Sequence, residues 1–247
     1  KPANDKLKDG RQFIRSCWRL ESLENIPRNI DDPALAISYE TPKPKAFLKT
    51  EIKTLTKGAD DRMELFLLLG LNCGMLQQDI SDLKPEEVDW DQGRIKRKRS
   101  KTRRKSNGNS NIPEVDWKLW GRTFELLKAH RSTSKNHVLL NANGNSLKRS
   151  VIGDDGKINN TSNIAKQYER LQIKLKIKKK NRKPFKTLRA TGSTILESNK
   201  EFSRFAQHYL ADAPRSIIEK HYIAHIGDRQ DQFDEAIVWM GKQFDLK

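Results

Sequence analysis

Apolar residues recur at helical spacing over most of the chain. Residues 9–22 place Phe13, Cys17, Trp18 and Leu20 on much of one face, which predicts an amphipathic helix. A stretch rich in Pro, Asn and Asp follows over residues 25–44 and reads as an extended linker. A boundary is expected near residue 42, dividing the chain into 1–41 and 42–247. The first part is too short to fold alone, so it reads as the tail of a domain lying N-terminal to it. Beyond the linker, helices are predicted over 48–57, 60–73 and 77–83, the last stopping before Pro85. In the second of these, Met63, Leu65, Phe66, Leu68 and Leu69 mark the buried side. Residues 88–90 and 94–99 read as strands around the turn Asp91-Gln92-Gly93, and 111–113 as a returning strand after a second turn at 106–109. Further helices are predicted over 117–130, 162–176, 185–198, 201–210, 214–221 and 232–244. A short strand is expected at 138–141 and a polar surface loop at 148–160. The class is mainly α with a small antiparallel β-sheet, that is α+β.

Charge changes the picture more than composition does. Hydrophobic residues make up only 35% of the 247, yet the apolar runs suffice for a folded, soluble protein. The net charge is +17, and it is clustered. Residues 94–105 hold nine Lys and Arg and no acid, and residues 174–186 hold eight more. Clustered charge of one sign is the electrostatic footprint of a polyanion binder, with nucleic acid the first candidate. An anionic membrane is the weaker reading, because no basic run is paired with an exposed Trp, Phe or Leu face. No apolar run approaches the roughly 20 residues of a membrane span. Cys17 and Cys73, the only cysteines, give no disulfide framework and fit two buried thiols in a reducing compartment. The chain begins with Lys1, so it is expected to start inside a longer protein or to have been trimmed.

The segment Lys186-Thr187-Leu188-Arg189 is followed by Leu210-Ala211-Asp212 and then by Glu219-Lys220-His221-Tyr222. This order resembles the C-terminal signature of the tyrosine recombinases, the phage-integrase family. There a His/Lys-x-x-Arg opens one helix, a Leu-Gly-His opens another, and a tyrosine follows nine or ten residues later. Leu69-Gly70-Leu71-Asn72-Cys73-Gly74, with Asp79 and Leu83, resembles the helix that opens the family's catalytic domain. Lys101-Thr102 in the basic hairpin resembles its catalytic-lysine hairpin. The resemblance spans residues 45–240, and residues 1–40 resemble the end of the family's core-binding domain and its linker.

The resemblance implies Tyr222 as nucleophile, with Arg189, Lys186, Lys101 and Asp212 as the other catalytic positions. Attack of a tyrosine oxygen on a DNA phosphodiester gives a 3′-phosphotyrosyl link and a free 5′-hydroxyl. The crowded anionic phosphorane calls for preorganised cations and donors, and the planar fork of an arginine can hold two phosphate oxygens. A lysine on the hairpin supplies the proton to the leaving oxygen. No metal or other cofactor is needed. DNA contacts are expected from Arg94, Lys96, Arg97, Lys98, Arg99, Arg103, Arg104, Lys105, Lys183 and Arg215. The partner is double-stranded DNA, on which two or four copies assemble, and no membrane. The location is the cytoplasm of a bacterium carrying a phage, plasmid or other mobile element.

The chain departs from the family at two positions. The family's first catalytic arginine falls on Asn72 if counted from Gly70-Leu71, or on Leu76 if counted back from Asp79. Its Leu-Gly-His histidine is Asp212. Arg62, Arg94 and Arg215 are candidates to replace the arginine, and His208 and His221 to replace the histidine. Asp212, before Ala213-Pro214, also fits a helix N-cap. His221 and His225 have the spacing of a metal pair but no third ligand. The last helix, with Phe233, Ile237, Met240, Gly241 and Phe244 on one face, either packs at home or docks on a neighbouring subunit. The tryptophans read as core, with Trp117, Trp120 and Trp239 in amphipathic helices. A non-catalytic DNA-binding relative and an unrelated basic RNA-binding protein remain the alternative readings.

Overall fold

A computed structural model describes residues 2–38, 45–98, 113–153, 155–212 and 229–245. The chain divides into two compact units, Lys1–Lys43 and Pro44–Lys247.

The first unit is helix α1 (Pro2–Arg19) with a returning segment laid along it. Asn4 exchanges two hydrogen bonds of 2.9 Å with the backbone of Ile37, and Arg15 pairs with Asp31 at 2.6 Å. The helix starts seven residues before the predicted one. Ile30 is the one buried apolar side chain among the described residues of this unit, while Phe13, Trp18 and Leu20 stay exposed. Cys17 is only half-buried, contrary to the sequence reading.

The second unit is built around α3 (Asp61–Asn72), which follows α2 (Lys49–Gly58). Asp60 caps α3 by accepting from the Met63 amide at 2.7 Å. Nine α3 residues are buried, on all sides of the helix, because α3 packs against α2 and against helices from later in the chain. These include α5 (Gly121–Ala129), α6 (Asn163–Lys174), α7 (Thr187–Ser198) and α9 (Gln230–Lys242). The short α4 (Gln77–Ser81) leads into an antiparallel sheet in the order β1 (Val88–Asp89), β2 (Arg94–Arg97), β3 (Val115–Lys118).

Strand alternation decides which way the basic β2 residues face. Ile95 pairs with Trp117 and Arg97 with Val115, and all four are buried. Trp117 therefore lies in a strand, not in the helix expected over 117–130, and Trp120 precedes α5 as its N-cap. The apolar positions there change from period two to period 3.6 within four residues, too abruptly for a window to resolve.

Residues 148–160, expected as a loop, form a second sheet. Strands β4 (Lys148–Ile152) and β5 (Ile158–Ser162) pair with Ile152 opposite Ile158. Most of the hairpin is exposed on both faces, so no buried face imprints an alternation on the sequence. The strand expected at 138–141 is reduced to a single bridge, Leu140 to Ser146. Residues 201–210 are a 3-10 turn followed by the short α8 (Ala206–Tyr209). The last helix packs at home: Phe233, Ile237, Met240 and Phe244 are buried, and the Trp120 indole donates to the Ile237 carbonyl at 2.8 Å. The expected helix at 214–221 lies outside the described residues.

Candidate active site

The start of α7 is held by its neighbours. Leu188 and Phe185 press on Gly70 of α3, and the Phe185 ring meets Tyr168 edge-on at 5.5 Å. Thr191 donates to the Thr187 carbonyl at 2.8 Å and accepts from the Phe47 amide at 2.8 Å. Lys186, the residue before α7, is exposed, one turn from the buried Arg189.

Two separate segments converge on the Arg189 guanidinium. Nη1 donates to the Gly74 carbonyl at 2.9 Å, and Nη2 donates to the Leu210 carbonyl and lies 3.2 Å from Asp212 Oδ1. Tyr209 sets this geometry. Its hydroxyl donates to the Leu71 carbonyl at 2.7 Å, and its ring fills the space left by two glycines. A Cβ on Gly192 would lie 2.2 Å from that hydroxyl. Gly74, at φ +60, faces the same ring at 3.1 Å. Ala211 then takes φ +45, a left-handed conformation that glycine favours, and this turn brings Leu210 and Asp212 back to Arg189. Tyr209 carries no motif of its own in the sequence; its spacing from Gly192 becomes meaningful only in the fold.

The Asp212 carboxylate thus acts as an ion-pair partner of Arg189. Whether it also caps a following helix falls outside the described residues. Asn72 is fully buried, its amide donating to the Lys118 carbonyl at 3.0 Å and its oxygen accepting from the Trp120 amide at 2.8 Å. It is a core residue that ties α3 to the chain after β3. Leu76 is half-buried before α4. The Arg62 guanidinium donates to the Leu140 carbonyl, and burial holds it below its ordinary pKa.

Several expected DNA-contact residues are engaged inside the protein. Arg94 is clamped by Asp234 at 2.6 Å and Asp116 at 2.8 Å, and these bonds, Asp234 first, raise its pKa. Arg97 is 2% exposed, donates to the Asp79 carbonyl at 2.7 Å and lies 3.5 Å from Glu87, because strand alternation turns it inward with Ile95. Lys183 donates to the Ala46 carbonyl at 2.9 Å and pairs with Glu51 at 2.5 Å. The sequence reading did not foresee these three internal engagements. Lys96 is exposed, 3.6 Å from Glu114, and Lys98 is half-exposed. Arg99, Lys101, Arg103, Arg104, Lys105, Arg215, His221, Tyr222 and His225 lie outside the described residues.

His208 packs edge-on against Phe233 at 4.7 Å, and burial lowers its pKa to about 4, so its imidazole is neutral at pH 7. Burial raises the phenols of Tyr168 and Tyr209 well above their usual range. Tyr168 donates to the Lys183 carbonyl at 3.0 Å. Neither is set up as a nucleophile. Among the described residues, no cluster of three His, Cys, Asp or Glu could hold a metal ion, and no helix is long and apolar enough to cross a membrane.

No family model matches the sequence, and no curated protein matches it. Solved structures do. XerA recombinase is 17% identical with a TM-score of 0.50, over 96% of this chain and 75% of that one. The Tn1549 transposon integrase, in complex with transposon right end DNA, is 10% identical with a TM-score of 0.56, over 93% of this chain and 84% of that one. A lambda integrase dimer bound to a core site is 13% identical with a TM-score of 0.55, over 90% and 80% of the two chains. At these identities the likeness is one of fold, and the chain carries the fold of the tyrosine recombinases and integrases.

Proposed function

We propose that the chain cuts and rejoins strands of duplex DNA as a site-specific recombinase or integrase, through a 3′-phosphotyrosyl intermediate on Tyr222. The observation that carries this reading is the convergence on Arg189. The two motifs of the signature, 186–189 and 210–212, meet at one buried guanidinium. Tyr222 lies ten residues beyond Asp212. Tyr168 and Tyr209 are committed to backbone carbonyls, and Tyr222 is the tyrosine at the spacing of the signature.

In this mechanism the Tyr222 oxygen bonds to phosphorus as its phenolic proton passes to water. The bond from phosphorus to the 5′-oxygen breaks, and Lys101 protonates that oxygen. Arg189 and Lys186 stabilise the negative charge of the phosphorane. Religation reverses the steps with no outside energy source, because the phosphotyrosyl link retains the bond energy. Two or four copies assemble on the DNA. The Tn1549 and lambda integrases, whose structures were determined with DNA, support duplex DNA as the partner.

A second reading keeps the DNA binding and drops the chemistry. Two observations favour it: Asp212 neutralises the Arg189 charge, and Asn72 is a core residue where one register calls for an arginine. Loss of a single transition-state donor costs roughly 10²–10³ in rate.

The deciding experiment is covalent trapping. The protein is incubated with duplex carrying the DNA that flanks its gene, nicked so that the 5′-hydroxyl fragment diffuses away. A detergent-resistant protein–DNA band that disappears in Tyr222→Phe is the expected result. Salt-sensitive duplex binding without a band in either protein supports the second reading. Failure to bind duplex eliminates both.

A further inference from the structure

From residue 170 to residue 196 the chain holds ten lysines and arginines and no acid. The structure sorts these cations. Lys183 is neutralised by Glu51, Arg189 faces Asp212, and Lys174 donates to the Gly58 carbonyl at 3.0 Å. Seven remain with no ion-pair partner among the described residues: Arg170, Arg182, Lys186 and the run Lys176, Lys178, Lys179 and Lys180, all four of which are exposed. Exposed lysines elsewhere on this unit, such as Lys57, Lys135 and Lys200, also have no ion-pair partner among the described residues, but they stand singly, whereas these four crowd into five residues.

The backbone that carries them is pinned. At the end of α6, the Lys176 amide donates to the Ile173 carbonyl at 2.8 Å and the Ile177 amide to the Gln172 carbonyl at 3.0 Å. Arg182 Nε closes the loop onto the Ile177 carbonyl at 3.1 Å, and the Asn181 amide donates to the Lys178 carbonyl at 2.8 Å. Ile177 packs on the core beneath. Lys176 sits at φ +55, in the left-handed position after a helix where glycine is usual. The protein therefore holds a crowd of like charges on a fixed loop, one of them in an unfavourable backbone conformation, with no carboxylate partner among the described residues.

We infer that Lys176–Lys180 is a second DNA-contact ridge that grips the duplex backbone beside the phosphate held at Arg189. This rests on the function proposed above. Lys180 is six residues from Lys186, at most ~20 Å along an extended chain. At 3.4 Å per base step, that places Lys180 within about six base steps of a phosphate held at Lys186, and Lys176, ten residues away, within about ten. Its contacts are to phosphates and carry affinity, not sequence preference.

The test compares the full chain with K178Q/K179Q/K180Q and with K57Q/K135Q/K200Q, which removes equal charge from exposed lysines elsewhere. Binding to an arbitrary duplex is followed by fluorescence anisotropy from roughly 50 to 200 mM salt, where each phosphate contact adds about 0.9 to the slope of log K against log salt. The ridge variant is expected to lose about 2 to 3 from that slope and roughly tenfold in affinity per lost contact near 0.1 M salt, with an unchanged melting temperature. The control variant is expected to lose less than about 1. A ridge variant that matches the unaltered chain or the control overturns the inference while the proposed function stands. A loss confined to phosphatidylserine vesicles, with duplex binding intact, overturns it in favour of a membrane surface. No duplex binding by the unaltered chain removes the functional reading itself.

Discussion

The Arg189 guanidinium lies 3.2 Å from the Asp212 carboxylate, so the proposed phosphate clamp carries its own internal anion. A bound phosphate must compete with that carboxylate for the same donors. Replacing Asp212 by His removes the competing charge and restores a neutral donor. Asp212→His is expected to raise the rate of covalent adduct formation by about tenfold or more, given what one added donor contributes. The trapping assay with nicked duplex reads this directly. An unchanged or lower rate with intact folding places the limitation elsewhere, at the missing arginine.

Tyr209 acts as a peg between α3 and α7. Gly192→Ala drives a methyl into its hydroxyl, and the ring cannot retreat because the hydroxyl is bonded to Leu71. The expected cost is about 2–3 kcal/mol, in the range of overpacked cores. Tyr209→Phe removes the closest atom, so the same glycine change should cost less in that background. Denaturant midpoints of the four proteins in the cycle check this, and equal costs in both backgrounds contradict the contact.

Ala211 holds φ +45 in the turn that returns Asp212 to Arg189. A β-branched side chain is far less tolerant of that conformation. Ala211→Val is expected to destabilise by about 2 kcal/mol or more, and Ala211→Gly to be neutral or slightly stabilising, since relief of backbone strain offsets the lost methyl. Thermal melting of the two variants decides, and an equal loss in both removes the role assigned to the backbone.

His208 gives the protein a defined acid sensitivity. Its folded pKa, lowered to about 4 by burial, lies below the ordinary value of 6.5. The unfolded chain therefore binds a proton that the folded chain refuses. The contribution of His208 to stability is fully present above pH 6.5 and is lost as pH falls from there towards 4, at no more than ~1.4 kcal/mol per pH unit. His208→Gln should flatten the melting temperature over this window. A profile identical to that of the unaltered protein assigns the acid loss to other groups.

Most described helices and the first two strands of the basic sheet were legible because they depend on local periodicity, whereas the third strand, expected at 111–113, is Val115–Lys118. The apolar run from Leu65 to Leu71 gave α3 to within a residue at each end. The β4–β5 hairpin was not legible. A strand pair that buries neither face leaves no alternation, and its Gly and Asn content reads as loop. Within the candidate site, Arg189 and Asp212 were visible as motif positions, whereas Tyr209 and Gly192 were not, since a peg and its socket seventeen residues apart have no common spacing rule.

The sequence by itself determined the helical class, the excess of positive charge and the order in which the signature residues occur. These follow from periodicity and composition, which each segment carries on its own. Only the tertiary structure decided which cations are spent inside the protein. Arg94 meets Asp234 across 140 residues and Lys183 meets Glu51 across 132, and Arg97 is turned inward by its strand neighbours. A guanidinium or ammonium faces DNA or a carboxylate according to what the fold brings within about 4 Å of it, and that distance is fixed by packing between segments far apart in the chain.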